Sequence, residues 1–183
     1  MVVLKESDLI DCSTEIYNQA EIVNKMVKEI VQKYCGDLDN YIHCIQERFR
    51  GDSSNISDEE LDSIIFNIPL KLYYINSGAE EVGLREDICK AIKAEKYRDV
   101  IVSVTGTAEV KRAHAESNVY KEHMVNIIYS RAYKEIKSRV DMAFEVMQSA
   151  KKIINRRIGE LELSQRNSGG TINVNTSRRY ERN

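Results

Sequence analysis

Several side chains of the kind that do catalysis are present, but none stands in a pattern that a known reaction requires. The 183 residues contain no glycine-rich phosphate loop, no GxSxG nucleophile elbow and no HExxH zinc motif. His114 and His123 are nine positions apart, which is half a turn out of phase on a helix, so the two imidazoles cannot act on one ligand. We therefore expect that the protein is not an enzyme.

The cysteines and histidines also make a poor metal site. A structural zinc site needs four converging ligands, and the nearest approach here is Cys35 with His43 and Cys44. Scattered thiols without a compact spacing are typical of cysteines that stay reduced inside a cell. The sequence predicts no metal, no cofactor and no disulfide. The four cysteines are Cys12, Cys35, Cys44 and Cys89.

Basic residues occur together with aromatic ones, a combination that suits single-stranded nucleic acid, because cations hold the phosphates and flat rings stack on the bases. The first group is Lys71 with Tyr73 and Tyr74. A second group surrounds Tyr97 and a third follows along the chain. Their cations are Lys90, Lys93, Lys96 and Arg98 in the second group, and Lys111, Arg112, Lys134, Lys137, Arg139, Lys151, Lys152, Arg156 and Arg157 in the third.

A structural interpretation of the same residues stays open. Arg139 lies four positions after Glu135, and such pairs stabilise a solvated helix by a few tenths of a kcal/mol. Tyr73 and Tyr74 could equally be core residues. The basic side chains are also spread around the helix and do not form one face.

Charge is distributed unevenly along the chain. Residues 1–62 contain 6 Lys and Arg against 14 Asp and Glu, whereas the net charge of the whole chain is -2, so residues 63–183 are net basic. We divide the chain into an acidic helical region (1–62), a basic helical body (63–163) and a basic tail (164–183). This asymmetry indicates a polyanion partner or contacts between the acidic and basic parts of neighbouring copies, although two solvated surfaces would also explain it.

The length and hydropathy of the chain favour one soluble domain. With 42% hydrophobic residues the chain can form one ordinary core, and no window approaches the roughly 20 apolar residues of a membrane helix. The first residues show neither a basic segment nor an apolar run of the kind that directs export. We expect a cytoplasmic protein.

Apolar spacing predicts an all-α fold. A first helix covers 7–34 and ends at Gly36, and a second runs from Asp37 to Gly51. Ser57 and Glu60 form a capping box for a third helix, which we expect to kink or break near Asn67.

The third helix should end at 76–78, and a fourth should occupy 79–98. The β-branched stretch that follows predicts an extended link or a short strand near 100–106. Thr107 can cap a long C-terminal helix over 107–158, which contains neither Pro nor Gly up to Ile158.

The long helix has one apolar stripe with a mean step of 3.67 residues, which disfavours a heptad coiled coil. At 1.5 Å per residue the segment would span about 78 Å, against roughly 40 Å for a compact chain of this size. Either the stripe packs on copies of itself, which we favour, or the other helices lie along it as an elongated bundle. The stripe residues are Val125, Tyr129, Ala132, Ile136, Val140, Ala143, Met147, Ala150, Ile154 and Ile158.

The tail is poor in large apolar residues and contains four arginines after Ser164 against one Glu181. Such a segment should be disordered on its own. It could bind phosphates weakly, order on a neighbouring copy, or only aid solubility.

Four short segments resemble the UvsY family of T-even phage recombination mediators. These are Leu70-Lys71, Tyr73-Tyr74, Ser77-Gly78 and Ile136-Lys137-Ser138-Arg139, within roughly residues 65–157. The resemblance implies a ring-forming helical oligomer without catalysis that binds single-stranded DNA. It also implies cooperation with a single-strand binding protein and the loading of a RecA-like recombinase.

Residue by residue, the resemblance places Lys71 on the family's DNA-contacting lysine, whereas Tyr73 occupies the position of an expected arginine. Our first hypothesis is therefore an oligomeric single-stranded-DNA-binding recombination mediator. The alternative is a helical phage structural, assembly or adaptor protein that acts only through protein contacts.

Overall fold

The computed structural model describes residues 6–50 and 56–169, with side chains described over 13–50 and 56–166. This part of the chain contains four helices and no strand, which confirms the all-α prediction. The helices are α1 (Glu6–Phe49), α2 (Asp58–Ser103), α3 (Ala108–Asn118) and α4 (Tyr120–Gly169).

The three long helices form the elongated bundle that was the second alternative for the stripe. α2 runs antiparallel to α1, as shown by Arg48 Nε, which donates to Glu60 Oε1 at 2.9 Å. α2 also runs antiparallel to α4, because Arg157 Nη1 at one end donates to Asp58 Oδ1 at 2.5 Å, and Lys93 Nζ lies 3.1 Å from His123 Nδ1 near the other. The short α3 folds back beside the end of α2.

The apolar stripe of α4 packs inside this bundle. Ala132 and Ile136 are fully buried and Met147 is 5% exposed, and all three belong to one core with residues of α1 and α2. Tyr129, Val140 and Ile154 are partly buried against that core, and only Val125 and Ile158 are largely exposed. Our expectation that this stripe forms the oligomer interface is therefore corrected, because α1 and α2 lie along α4 and cover it.

Two expected helix ends are wrong, because α1 continues through Gly36 and α2 continues through Gly78. At Pro69 we expected a kink or a break, and the break is absent because α2 continues through it. A proline inside a helix costs about 3 kcal/mol, but the buried Ile68 and Leu72 anchor the helix on either side of it. Gly78 is buried because the Tyr34 ring of α1 packs directly on its backbone, a contact between residues far apart in sequence.

The caps agree with the sequence. Ser57 and Glu60 form the predicted capping box, and Thr107 Oγ1 accepts from Val110 N at the start of α3. The extended link occupies 104–107, since α2 includes residues 100–103. Gly106 in this link has a φ of 138°, a conformation that favours glycine.

The C-terminal helix also differs from the expectation. It is interrupted at Val119, between α3 and α4, and α4 then runs eleven residues past Ile158 to Gly169. The boundary expected at 62–63 falls inside α2, and the one at 163–164 falls inside α4. The predicted disorder of residues 170–183 lies outside the described residues.

Substitution of Gly78 by alanine is expected to destabilise the protein by about 1–2 kcal/mol, because the added Cβ would overlap the Tyr34 ring. Gly159→Ala is the matched control in α4. A Cβ there meets nothing within 4 Å in the described chain, so the better helix propensity should stabilise the fold by about 0.5–1 kcal/mol. Urea denaturation of both variants measures the difference, and equal effects would contradict the close contact of α1 with α2.

Candidate nucleic-acid interface

One end of the bundle collects cations from three helices, and we call it the basic end (residues 90–134). It contains 9 Lys and Arg against 5 Asp and Glu, whereas residues 6–89 contain 7 against 18. The turn at 104–107 places α3, which carries Lys111 and Arg112, beside the end of α2, which carries the second basic group. The contact between Lys93 and His123 joins α4 to the same place.

The cations of the basic end differ in how far they are neutralised. Lys96 pairs with Glu122 of α4, and Lys90 pairs with Glu86 at 2.8 Å on its own helix. The Glu86 hydrogen bond raises the pKa of Lys90, so this cation is held in place and stays charged.

Three other cations of the basic end remain open to a ligand. Arg98 and Arg112 are exposed and Lys111 is partly exposed. None of the three forms an ion pair with the residues that the structure describes. These side chains can therefore meet a phosphate without breaking an internal pair.

Two aromatic rings accompany these cations. Tyr97 is half-buried, and Tyr120 is 47% exposed while its hydroxyl donates to Gln19 Oε1 of α1 at 2.6 Å. Rings of this kind can stack on bases. α1 passes the basic end at Gln19, whose amide also donates to Glu15 of the same helix.

The first predicted group is divided by the structure. Tyr73 and Tyr74 are 76% and 75% exposed, with their rings edge to face at 5.6 Å, so the core interpretation of these tyrosines is wrong. Lys71 turns toward α1, where its Nζ lies 5.4 Å from the centre of the Tyr41 ring. The 23 residues from Tyr74 to Tyr97 correspond to about 35 Å of helix, so this group is remote from the basic end.

Two predicted cations of α4 beyond the basic end, Lys137 and Arg139, have structural contacts. Arg139 Nε donates to Asp39 Oδ2 of α1 at 3.0 Å, and its Nη1 lies 3.2 Å from Glu135 Oε2, as the four-residue spacing predicts. Lys137 lies 5.2 Å from the centre of the Tyr133 ring, and its hydrogen bond to that side chain raises the Lys137 pKa. Lys134 is exposed and closes the basic end on α4.

Sequence reasoning missed a row of exposed apolar residues on α2, which we call the outer stripe. Their exposed fractions lie between 42% and 76%. The signal was present, because apolar residues occur on all sides of α2, which is typical of a helix that is covered on all sides. The outer stripe consists of Phe66, Leu70, Tyr73, Tyr74, Leu84, Ile88 and Ile92.

The described residues offer little for metal or small-molecule chemistry. They contain no group of three His, Cys, Asp or Glu that could hold a metal ion, and burial raises the pKa of the Cys35 thiol to about 11. A groove of about 750 Å³ between α1 and α4 is lined mostly by apolar side chains, and its Asp39 and Arg139 pair with each other. No helix over the described ranges is long and apolar enough to cross a membrane.

Comparison with known proteins identifies no relative of this chain. No family model matches it, and neither a curated protein nor a solved structure matches it.

Proposed function

We propose that this chain is a non-catalytic, oligomeric single-stranded-DNA-binding protein that acts as a recombination mediator. The observation that supports DNA binding is the basic end, where α2, α3 and α4 each carry exposed or partly exposed cations that form no ion pair with the described residues. Arg98, Lys111 and Arg112 supply the phosphate contacts in this proposal, with Lys93 at their edge.

The arrangement suits a flexible single strand better than a duplex groove. Its cations lie on a turn between helices and do not follow one helix face, so a bendable backbone can reach all of them. The rings of Tyr97 and Tyr120 offer stacking surfaces beside those cations. Base stacking of this kind tolerates any sequence, as a mediator that acts along arbitrary DNA requires.

The mediator role and its protein partners are supported by the segments around Lys71 and Ile136 that resemble the family. In this proposal the chain binds DNA together with a single-strand binding protein and helps a RecA-like recombinase to assemble, in the cytoplasm of the host cell. We assign the DNA contact to the basic end and not to the Lys71 group, because the Lys71 ammonium already lies over the Tyr41 ring.

The second candidate is a helical assembly or adaptor protein that binds only protein. The outer stripe of α2 favours it, because exposed apolar rows are typical of protein interfaces. The two candidates differ in one measurable property, which is the affinity for DNA.

Fluorescence anisotropy with a labelled oligothymidylate of about 30 bases separates the candidates. With these four cations on phosphates, log K should fall with log salt at a slope of roughly -3, because each neutralised phosphate releases counterions. An oligonucleotide that is not bound at low salt, or is bound without salt dependence, would leave only the assembly-protein candidate.

The mediator part has its own test. DNA coated with single-strand binding protein is mixed with a RecA-like recombinase, and recombinase ATP hydrolysis reports filament assembly. The chain should shorten the lag before hydrolysis. An unchanged lag despite DNA binding would contradict the mediator role and leave a DNA-binding scaffold.

A further inference from the structure

The outer stripe lies on the face of α2 that points away from the core. Phe66, Leu70 and Tyr73 each stand nine residues before a buried residue of the same helix, which is half a turn out of phase. Those buried residues are Ile75, Ala79 and Val82. The stripe continues through Leu84 and Ile88 to Ile92, so it extends over about 39 Å of helix.

The exposed area is large for a single chain. Phe66, Tyr73 and Tyr74 are 68%, 76% and 75% exposed, and a large aromatic side chain has about 150–250 Å² to bury. The three rings alone thus present roughly 300–550 Å², which is already the size of the largest apolar patch on a typical monomer. The four aliphatic residues bring the stripe toward the 800 Å² or so that each partner buries in a stable interface.

The charges of α2 identify the occupant. The helix begins with four carboxylates and no cation over 58–62, and it carries four cations against one carboxylate over 90–98. Four of these charges already pair within the chain, which leaves the acidic Glu59 and Asp62 at the start and the basic Lys93 and Arg98 at the end without an ion pair to the described residues. Two copies of such a helix attract each other when they run in opposite directions, because each acidic start then lies beside a basic end. An unrelated partner would have to match both charges, whereas a second copy does so by symmetry.

We propose that the outer stripe is covered by α2 of a second copy of this chain, in an antiparallel two-fold pair. Leu70 of one copy opposite Ile88 of the other gives the best apolar register. It also sets Tyr74 opposite Leu84 and Phe66 opposite Ile92. Ser77, a small residue near the two-fold axis, allows the helices to approach closely.

The same register forms ion pairs at the rims. Asp62 and Arg98 lie on the same flank of α2, because 36 residues are ten whole turns, and equal flanks face each other across a two-fold axis of this kind. Arg98 of one copy therefore reaches Asp62 of the other. Lys111 and Arg112 stay outside the pair because they belong to α3.

This pairing deepens the proposed function, because it names the surface that makes the protein oligomeric. The two basic ends lie at opposite ends of the pair, so one dimer offers two contacts to a strand. The outer stripe carries dimerisation and Lys111 and Arg112 carry only DNA binding, whereas Arg98 contributes to both. Variants of Leu84 and of Lys111 with Arg112 therefore distinguish the failure of one from the failure of the other.

Sedimentation equilibrium of the full chain without DNA tests the pairing. Leu84→Glu places two carboxylates in the apolar interface and should weaken the dimer by about 100-fold. Leu163→Glu is the matched control, since Leu163 is 60% exposed on α4 and Leu84 is 61% exposed. Circular dichroism verifies that both variants are helical.

The chain and Leu163→Glu should be dimers at roughly 20 µM, where Leu84→Glu should be a monomer. A natural chain that stays monomeric at ten times that concentration, or a Leu84→Glu variant that still dimerises, would overturn the proposal. Anisotropy on the same Leu84→Glu sample shows whether a monomer retains DNA binding at the basic end. That result bears on the proposed function alone.

Cross-linking tests the direction of the pair. In a background whose cysteines other than the buried Cys35 are replaced by serine, Ser77→Cys should be joined to its copy by a short bismaleimide. The two Ser77 positions are offset by about 6 Å along the axis, whereas the two Phe66 positions are about 39 Å apart. Phe66→Cys should therefore not cross-link. Cross-linking of both variants would indicate a parallel pair, and cross-linking of neither would exclude this face; both results overturn the proposal.

Discussion

The double variant Lys111→Glu, Arg112→Glu is expected to bind single-stranded DNA about 30–100-fold more weakly than the natural chain at low salt. These adjacent cations lie on α3 at the basic end, without an ion pair to any residue that the structure describes. Replacing both cations by carboxylates changes the local charge by four units. The effect should be large because the cations of such a surface act together on the phosphates. Anisotropy with the same oligonucleotide gives the affinity, and the salt slope should fall in parallel.

The chain offers a matched control for this variant. Lys151→Glu, Lys152→Glu makes the same change in two adjacent lysines near the far end of α4, about 60 Å of helix away. Its affinity should change by less than about fivefold. If both variants lose affinity equally, net charge and not the basic end determines binding, and the site is assigned incorrectly.

Ile136→Ala is expected to lower the free energy of unfolding by about 3–5 kcal/mol. Ile136 is fully buried in the core shared by α1, α2 and α4, so truncation leaves a cavity lined by rigid helices. Urea denaturation followed by circular dichroism measures the change. The loss should be the same at several protein concentrations, because the cavity lies within one chain.

Val125→Ala is the control for this core variant. Val125 belongs to the same stripe but is 40% exposed, so its truncation should cost less than about 1 kcal/mol. An Ile136→Ala variant that unfolds normally but no longer associates would contradict the bundle. It would restore the interpretation of the stripe as a contact between copies.

The local signals in the sequence predict the starts of α2 and α3, whereas the starts expected at Asp37 and at residue 79 lie inside α1 and α2. The capping box at Ser57 and the cap at Thr107 depend on side chains within three residues of the backbone groups that they satisfy. The periodic stripe of α4 likewise identifies its buried residues. Which helices cover that stripe depends on contacts between residues far apart in sequence. The sequence alone therefore could not decide between a second copy and the chain's own α1 and α2.

The predictions of the helix ends are wrong for the same reason. Gly36, Pro69 and Gly78 are breakers by intrinsic propensity, yet each lies inside a long helix because packing with another helix outweighs that propensity. The ring of Tyr34 on Gly78 is one such contact, and its partners are 44 positions apart.

The candidate site is predicted in part. The residue types are right for a polyanion, and Lys93, Arg98, Lys111 and Arg112 lie on the two helices that the α2–α3 turn places side by side. Arg139 has the same chemistry but holds α4 against α1 through Asp39, and no spacing within α4 could reveal that partner. The outer stripe escaped detection because each helix was expected to have one apolar face.

Photo-cross-linking to a thymidine strand that carries 4-thiothymidine, followed by mass spectrometry of the peptides, tests the central claim most directly. The claim is that this chain binds single-stranded DNA at the basic end. Cross-links should lie within residues 90–121, with Tyr97 or Tyr120 among the sites, and should disappear in Lys111→Glu, Arg112→Glu. Cross-links confined to Tyr73 and Tyr74, or none at low salt, would contradict it.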